Sequence, residues 1–331
     1  MIDVSVIIVN WNTKNYLLHC LESLFYTGEG FSKEVIVVDN GSQDGSVNEL
    51  KKSFPSVHLI ENKSNLGFAK AVNLGLQQAS GRYLLLLNPD TLIKDGSIEE
   101  LFSFMEEHRE VAVTGPQLLN GDGSKQNSIA NFPSLTTELL NKNLLRWLFP
   151  ERYPGKEKDY SNPIEVDSVI GACMMVRREA MEQVGLLDED YFLFLEETDW
   201  CYRMRKAGWK VYHVPQARVI HFQGKGAEKE KKRAKVEYYR SRYIFFKKNR
   251  GRSQELLLRM GLLIRLVLEE IFMFLACLFT LFSIKKLTER LSLYTNLLWW
   301  HLKGCPEGMG LKTTDNPPSP PFTKGGLEGI T

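Results

Sequence analysis

In the N-terminal part of the chain, continuous apolar runs alternate with segments that mix apolar and polar positions. Four short runs rich in Val, Ile and Leu predict β-strands, at residues 4–10, 34–40, 57–60 and 83–87. The segments between them have the spacing of amphipathic helices, at residues 14–26, 46–53 and 68–79. Because apolar strands alternate with helices, the pattern predicts an α/β fold with a mostly parallel sheet and helices on both faces.

Three of the predicted strands end abruptly in polar residues. The first ends in NWN (residues 10–12), the second runs into DNGSQDG (39–45), and the fourth is followed directly by NPD (88–90). The carboxyl ends of parallel strands meet at one edge of a sheet, and open α/β sheets bind their ligands there. The sequence therefore predicts a ligand site that is built from these strand ends.

The middle of the chain is less regular. It predicts a helix at 97–108, a strand at 111–114, a turn-rich insertion at 120–163 with one helical stretch at 135–149, a strand and short helix within 166–185, and a helix at 196–207 followed by a strand. This order predicts one α/β domain over residues 1–226.

The C-terminal part changes character after residue 226. Residues 227–248 predict a basic helix, and residues 256–284 are strongly apolar. Within the apolar segment, the part without a charged residue, 271–284, is shorter than the ~20 residues of a membrane span. A helix or hairpin lying in the membrane interface therefore fits better. The alternative is an ordinary helical cap on the domain. We predict a helical appendage over 227–305 and a Pro/Gly-rich disordered tail over 306–331.

Charge and cysteine content limit the classes of partner and the cellular compartment that we expect for this protein. The net charge of the 331 residues is only +2, which argues against a nucleic-acid partner. Residues 223–260, however, hold 13 Lys and Arg against 4 Asp and Glu, which suits an anionic membrane surface. The five scattered cysteines form no CxxC pair, and the N-terminus has no basic region before its apolar run. We therefore expect no signal peptide and a reducing, cytoplasmic environment.

Several of these residues could perform chemistry. Asp90, two positions after Asn88 and behind the stiff Pro89, suits Mg²⁺ or Mn²⁺, which bind one or two carboxylates plus phosphate oxygens. The alternative is a type I turn. Asp39 could accept hydrogen bonds from a ribose or a base, or could belong to a turn in which Asp44 or Ser46 caps the next helix.

Three more motifs have both functional and structural interpretations. Gly67, Lys70 and Asn73 at a helix start could attract phosphate, or could belong to a plain amphipathic helix. The carboxylates at 196, 197 and 199 are crowded together, and their mutual repulsion would raise the proton affinity of one of them, as a general base requires. They could also complement the helix dipole, with Asp199 paired to Arg203. A single histidine, His221, is by itself more typical of a structural role.

Taken together, these segments resemble the inverting nucleotide-sugar glycosyltransferases of family 2, and most closely their rhamnosyltransferase-like branch. The resemblance covers about residues 3–226 and is carried by SVIIVNWN, VIVVDNGSQDGS, NLGFAKAVNLGL, YLLLLNPDT, VIGACMMVRREA, GLLDEDYFLFLEETDWCYRMRKAGW and HFQGKG. It implies the GT-A fold, a Rossmann-like sheet, with a nucleotide-sugar-binding half at 1–115 and an acceptor half at 116–226.

The resemblance also implies roles for individual residues. Asp90 would be the metal-bound carboxylate of a DxD-type motif whose first position is Asn88 here, and His221 would lie near the diphosphate and the metal. Glu197 stands where the family has its base, but it is one methylene longer than the usual Asp, so Glu196 remains an alternative. The residues expected to bind the nucleotide sugar are Val9, Asn10, Asn12, Asp39, Asn40, Ser42, Gly67, Lys70, Asn73, Asn88, Pro89, Asp90, Gly171 and Ala172.

The implied activity is inverting transfer of a rhamnose-like or other hexose from a dTDP- or UDP-sugar to a glycan or lipid-linked acceptor, in bacterial cell-surface polysaccharide synthesis. Mg²⁺ or Mn²⁺ would be the cofactor. The appendage would make peripheral contact with the inner face of the plasma membrane. Two alternatives are a sugar-nucleotide nucleotidyltransferase, although VNWNTKNYL lacks its Gly-rich, basic phosphate loop, and a non-catalytic binding module on the same fold.

Overall fold

The computed structural model describes residues 2–26, 30–153, 158–222 and 230–311. The strands are β1 Val4–Asn10, β2 Lys33–Asp39, β3 His58–Glu61, β4 Tyr83–Leu87, β5 Thr91–Ile93, β6 Val111–Leu119, β7 Ile129–Ala130, β8 Ile164–Glu165, β9 Ser168–Val169, β10 Cys173–Arg177 and β11 Lys210–His221. The helices are α1 Lys14–Tyr26, α2 Ser46–Ser53, α3 Phe68–Gln78, α4 Ser97–Glu107, α5 Leu135–Leu139, α6 Lys142–Leu148, α7 Arg178–Val184, α8 Glu196–Lys206, α9 Lys231–Asn249, α10 Arg252–Phe279 and α11 Lys285–Leu302.

A nine-stranded sheet forms the centre of the fold. Its strand order is β3-β2-β1-β4-β10-β6-β11-β5, and β8 pairs with β11. Strands β1, β2, β3, β4, β6 and β11 run in one direction, whereas β10, β5 and β8 run in the other. The predicted mostly parallel sheet is confirmed, with β10 inserted antiparallel between β4 and β6.

The apolar strands are buried because helices cover both faces of the sheet. Successive side chains of a strand point to opposite faces, and β4 shows this directly. Leu85 and Leu87 pack in the cluster that contains α1 and α4, while Leu84 and Leu86 pack in the cluster that contains α3, α7 and α8. The run of four leucines is therefore a strand with an apolar cluster on each of its two faces, as the sequence predicted.

The turn-rich insertion differs from its prediction. The single helical stretch expected at 135–149 is two short helices, α5 and α6, because Asn141 begins a new one: its Oδ1 accepts a hydrogen bond from the N–H of Asn143 at 2.8 Å. The insertion also contains the short strand β7, which pairs with β9 in a separate two-stranded sheet.

Helices α9, α10 and α11 form a third apolar cluster, built around Phe245, Leu262 and Trp300. Helix α10 begins in this cluster, but its second half and the following turn expose many large apolar side chains. These are Val267, Leu268, Ile271, Phe272, Phe274, Leu275, Leu278, Phe279, Leu281, Phe282 and Ile284. The first half of α10 packs through Leu258, Leu262 and Leu266, although Leu256, Leu257, Met260 and Ile264 are exposed there as well. Contact of the exposed apolar surface with a membrane stays a prediction. Within the described ranges, no helix is long and apolar enough to span a bilayer.

The predicted boundaries of the appendage can be compared only in part. The expected join at 226 lies outside the described residues. At the other end, Gly310 accepts a hydrogen bond from Arg233 Nε at 3.0 Å, and the N–H of Leu311 donates to Glu237. The packed chain therefore extends a few residues past the predicted limit of 305, and residues 312–331 of the predicted tail lie outside the described residues.

Candidate active site

The polar strand ends meet at one edge of the sheet. Asn10 of β1 stands in register with Asp39 of β2, and Thr91 of β5 stands in register with His221 of β11. The N–H of Asn88 donates to the carbonyl of Ala172, just before β10, at 2.9 Å. Most of the residues predicted from separate motifs therefore lie along a continuous edge.

The Asp39 loop joins four of the predicted donor-binding residues. Asp39 Oδ2 accepts a hydrogen bond from Asn10 Nδ2 at 2.8 Å, and Asp39 Oδ1 accepts one from the N–H of Ser42 at 2.8 Å. Ser42 Oγ also accepts from the N–H of Asn12 at 2.9 Å. A carboxylate has about four acceptor positions, so Asp39 keeps capacity for a ribose or base. Val9 packs in the core, and its contact with the donor remains a prediction.

Asn40 holds the next loop rather than projecting from the edge. Its side chain donates to Asn65 Oδ1 at 2.9 Å and accepts from the N–H of Leu66 at 3.1 Å and from Asn62 Nδ2 at 3.0 Å. Asn40 is only 2% exposed. Its position is set by this network, and a direct contact with the donor remains a prediction.

The start of α3 is covered by the loop that precedes α8. The N–H of Phe68 donates to the carbonyl of Phe192 at 2.7 Å, and the N–H of Gly67 donates to Asn65 Oδ1 at 2.9 Å. These two backbone donors are therefore occupied, which weakens the argument for a phosphate at this helix start. Lys70 is exposed on α3. Contact of Gly67 and Lys70 with the donor remains a prediction.

Asn73 has a structural role that the sequence did not reveal. Its Nδ2 donates to the carbonyl of Leu187 at 2.9 Å and to Glu189 Oε1 at 3.1 Å, and its Oδ1 accepts from the N–H of Leu187 at 3.1 Å. Asn73 therefore ties α3 to the loop before α8. Because its partners lie more than a hundred residues away, no local motif could indicate them.

Asp90 and His221 form a pair at this edge, where β11 meets β5. His221 Nε2 lies 3.4 Å from Asp90 Oδ1, and both side chains are mostly buried. The other ring nitrogen, Nδ1, lies 3.1 Å from Gln126 Oε1. Gln126 orients the imidazole, as the second partner of a metal-binding histidine commonly does. Sequence reasoning missed Gln126, because it lies in the turn-rich insertion without a motif.

Glu197 is held by the backbone of the sheet edge. Gly171 packs against it so closely that a Cβ there would lie 3.3 Å from Glu197 Cγ. Burial raises the pKa of Glu197, and hydrogen bonds from backbone groups, including Gly171, oppose that rise. Since Ala172 bonds to Asn88, a short run of contacts connects Glu197 to the Asp90 turn. The side chain is half-buried, as a base that must meet an incoming hydroxyl requires.

Glu196 is in a different environment. It is 5% exposed, and its Oε2 has no hydrogen-bond partner among the described residues. Burial and the charges of Glu197 and Glu237 raise its pKa well above the ordinary value, which favours its protonated form. This makes Glu197 the better base of the two.

The backbone just before these glutamates is strained. Phe194 and Leu195 have φ values of 74° and 66°, in the left-handed region that side chains disfavour. Asp199, one turn into α8, secures the helix: it pairs with Arg203 at 2.8 Å and accepts a hydrogen bond from Asn249 at 2.7 Å. The predicted ion pair of Asp199 with Arg203 is confirmed.

Comparison with known proteins settles the family. The profile described as "Glycosyl transferase family 2" matches residues 5–185, more than half of the 331-residue chain. The chain belongs to this family. The N-acetylglucosaminyl-diphospho-decaprenol L-rhamnosyltransferase of Mycobacterium tuberculosis (strain ATCC 25618 / H37Rv) is 30% identical over 262 residues, which cover 74% of this chain and 84% of the relative. The dTDP-rhamnosyl transferase RfbF of Shigella flexneri is 27% identical over 190 residues, covering 56% and 59%.

A solved structure confirms the predicted GT-A fold of this family 2 glycosyltransferase. The mannosyltransferase PcManGT from Pyrobaculum calidifontis, in complex with GDP-Man and Mn²⁺, superposes with a TM-score of 0.53 at 15% identity, covering 92% of this chain and 88% of that chain. At that identity the likeness shows the fold alone.

The residues present fit a divalent cation of the kind that also binds substrate phosphate. In the part of the chain that the structure describes, no cluster of three or more His, Cys, Asp or Glu side chains could form a complete protein site. Asp90 and His221 provide one carboxylate and one imidazole. Mg²⁺ and similar ions often bind through one or two protein ligands and take their remaining oxygens from phosphates and water.

Proposed function

We propose that this glycosyltransferase transfers a rhamnose-like or other hexose from a dTDP- or UDP-sugar to a glycan or lipid-linked acceptor, with inversion, in bacterial cell-surface polysaccharide synthesis. One observation carries the proposal: a half-buried glutamate, Glu197, is held by the same sheet edge that carries Asp90 and His221. An inverting transfer requires a base for the incoming hydroxyl and a separate group for the departing diphosphate.

The chain's own residues would divide the reaction between them. Glu197 takes the proton of an acceptor hydroxyl, and that oxygen bonds to the anomeric carbon from the side opposite the nucleotide. The bond from the anomeric carbon to the diphosphate breaks, and the nucleoside diphosphate leaves with the electron pair. A divalent cation held by Asp90 and His221 would neutralise charge on that diphosphate. Asp39, fixed by Asn10 and Ser42, would bind the nucleoside.

The names of the relatives support the choice of donor and acceptor. One relative is named for dTDP-rhamnose, and another for a rhamnosyl transfer to N-acetylglucosaminyl-diphospho-decaprenol, a lipid-linked sugar. We therefore propose dTDP-rhamnose as the first donor to test and a sugar diphosphate on a polyprenyl chain as the first acceptor.

We also propose that the α10–α11 hairpin rests on the cytoplasmic face of the plasma membrane. Phe279 and Leu281 at its tip are 91% and 84% exposed, which water disfavours. The exposed Lys285 and Lys286 follow immediately, and cations beside an apolar tip suit an anionic lipid surface.

The experiment is a donor assay with the full chain. We expect release of dTDP or UDP from a matching sugar nucleotide in the presence of Mn²⁺ or Mg²⁺, and formation of a product with inverted anomeric configuration. Asp90→Asn should abolish the metal-dependent turnover, with circular dichroism unchanged. Release of pyrophosphate would instead identify a nucleotidyltransferase. Full activity in EDTA, or in Asp90→Asn, would overturn the proposed site.

A further inference from the structure

Residues 192–195, the entry turn of α8, contain two consecutive residues in a backbone conformation that their side chains disfavour. Phe194 and Leu195 have φ values of 74° and 66°, in the left-handed region. The carbonyl of Leu195 already accepts a helical hydrogen bond, from the N–H of Asp199 at 2.8 Å. A strained turn persists only where its surroundings hold it, so the contacts of the entry turn determine how α8 starts.

The entry turn is held between α3 and α9. The carbonyl of Phe192 accepts a hydrogen bond from the first N–H of α3. From α9, the hydroxyl of Ser241 donates to the carbonyl of Leu193 at 2.9 Å, and Ser241 is 0% exposed. The ring of Tyr238 makes an edge-to-face contact with Phe194, at 5.7 Å between ring centroids. A buried hydrogen bond is costly to leave unmade, so these contacts restrain the strained residues directly.

The same face of α9 continues along α8 itself. Phe245 follows Ser241 by four positions, and Asn249 follows Phe245 by four more, so their side chains share one face of the helix. The ring of Phe245 makes an edge-to-face contact with Tyr202, at 5.6 Å between centroids. Asn249 Nδ2 donates to Asp199 Oδ1 at 2.7 Å. One face of α9 therefore contacts both the entry turn and the first two turns of α8.

The direction of α8 matters because Glu197 lies in its first turn, two residues after the entry turn. The backbone before β10 leaves little space beside this side chain, since a Cβ on Gly171 would lie 3.3 Å from Glu197 Cγ. A small rotation of α8 would therefore move the carboxylate away from this backbone or press it against it. The contacts that set the start of α8 thus also set the position of Glu197.

We infer that Tyr238 and Ser241 of α9 are positioning residues for the proposed base. They hold Phe194 and Leu195 in the left-handed conformation from which α8 starts, and so keep Glu197 at the sheet edge. The inference rests on the proposed function, in which Glu197 accepts the proton of the acceptor hydroxyl. Because α9 lies outside the predicted α/β domain, the catalytic unit includes part of the helical appendage.

Four variants of the full chain test this inference. Ser241→Ala removes the hydroxyl, and Tyr238→Leu removes the ring. Tyr238→Phe is the conservative control, because it keeps the ring that contacts Phe194. Ser5→Ala is the second control. Ser5 is also 0% exposed, but it lies near the amino end of β1, where its hydroxyl donates to Glu34 Oε1 at 2.6 Å, away from the strand ends that form the site.

Kinetics and hydrogen exchange separate positioning from stability. We expect Ser241→Ala and Tyr238→Leu to lower kcat about tenfold, because a displaced base meets the acceptor hydroxyl in a poorer geometry. The donor KM should stay at the wild-type value. Hydrogen exchange, followed by mass spectrometry, should become faster in residues 192–202. Tyr238→Phe and Ser5→Ala should keep the wild-type kcat and the wild-type exchange of this segment, although Ser5→Ala should unfold at a lower urea concentration.

Wild-type kcat in Ser241→Ala or in Tyr238→Leu would overturn the inference, and so would an equal fall of kcat in Ser5→Ala. Faster exchange over the whole chain, rather than in residues 192–202, would assign these side chains to stability alone. Tyr238 is only half-buried, so Tyr238→Leu provides the test even if Ser241→Ala does not fold. Absence of donor turnover in the wild type would contradict the proposed function instead, while the exchange measurement would still show whether α9 holds the entry turn.

Discussion

Two adjacent glutamates at the start of α8 show how the surroundings set the proton affinity of the same side chain. Glu196 faces the interior, where burial and two neighbouring carboxylates favour its protonated form. Glu197 is half-buried and lies against Gly171, whose backbone helps to keep the carboxylate ionised. Only an ionised carboxylate can accept a proton, so this difference in environment favours Glu197 over Glu196 as the proposed base.

Substitution of each glutamate by glutamine should separate the two roles. Glu197→Gln removes the proton acceptor, and we expect kcat to fall about 10²- to 10⁴-fold. Glu196→Gln replaces a carboxyl that favours its protonated form by a neutral isostere, and we expect kcat within about tenfold of the wild type. Steady-state kinetics with donor and acceptor measures both, and the thermal midpoint of each variant controls for folding. The reverse order of the two effects would make Glu196 the base.

The pH profile gives an independent check on the same assignment. Because burial raises the pKa of Glu197, the active carboxylate should be lost, as pH falls, at a higher pH than the ordinary glutamate value of about 4.3. The acid limb of kcat/KM should therefore lie above that value. Glu196→Gln should retain this limb, whereas a variant profile without any acid limb would contradict the assignment to Glu197.

At the scale of elements, the sequence predicted what depends on local pattern. Apolar strands such as β4, and the polar residues that follow them, were evident in the sequence, because a strand that is buried on both faces is a continuous run of apolar residues. The short strands β5, β7, β8 and β9, of two or three residues, were not, because so few residues show no period. Asp90 could be predicted as a site residue from its position after a strand. The bonds of Asn73 to Leu187 and the orientation of His221 by Gln126 depend on long-range packing instead.

The contact between α3 and the loop before α8 provides a test of that packing. A Cβ on Gly67 would lie 2.7 Å from Phe192 Cδ2, and its backbone has φ 87° and ψ 168°, a region open essentially only to glycine. We expect Gly67→Ala to lower the free energy of unfolding by about 3 kcal/mol, from strain and overpacking together. It should also lower kcat, because the displaced loop leads to Glu197.

Gly96→Ala is the matched control for this substitution. Gly96 also precedes a helix with positive φ, 74°, but a Cβ there would meet nothing within 4 Å. Its cost should be that of the left-handed backbone alone, about 1 kcal/mol. Urea unfolding of the two variants measures the difference. Equal losses of stability would mean that the Phe192 contact does not restrain the loop.

At the scale of the whole molecule, α9 of the C-terminal part is joined to α8 and to the loop before it. Ser241 of α9 donates to the carbonyl of Leu193 at 2.9 Å, Asn249 bonds to Asp199, and Lys248 pairs with Asp190 at 2.6 Å. These contacts come from α9, which packs in one apolar cluster with α10 and α11, the helices of the exposed hairpin. Contact of the hairpin with a bilayer would therefore fix the orientation of the loop that leads to Glu197, and would bring a lipid-linked acceptor to it.

Membrane contact makes a measurable prediction for the hairpin. Removing two exposed aromatic side chains, in Phe272→Ser with Phe279→Ser, should weaken binding to phosphatidylglycerol vesicles by about 2 kcal/mol for each phenylalanine that inserts. Tyr26→Ser is the control, since Tyr26 is 90% exposed on α1, outside the helical appendage. Vesicle flotation of the full chain measures the bound fraction. Because the substituted phenylalanines are exposed, donor hydrolysis without acceptor should remain at the wild-type rate, while transfer to an acceptor embedded in vesicles should fall. Equal flotation of the hairpin and control variants would show that this surface does not contact lipid.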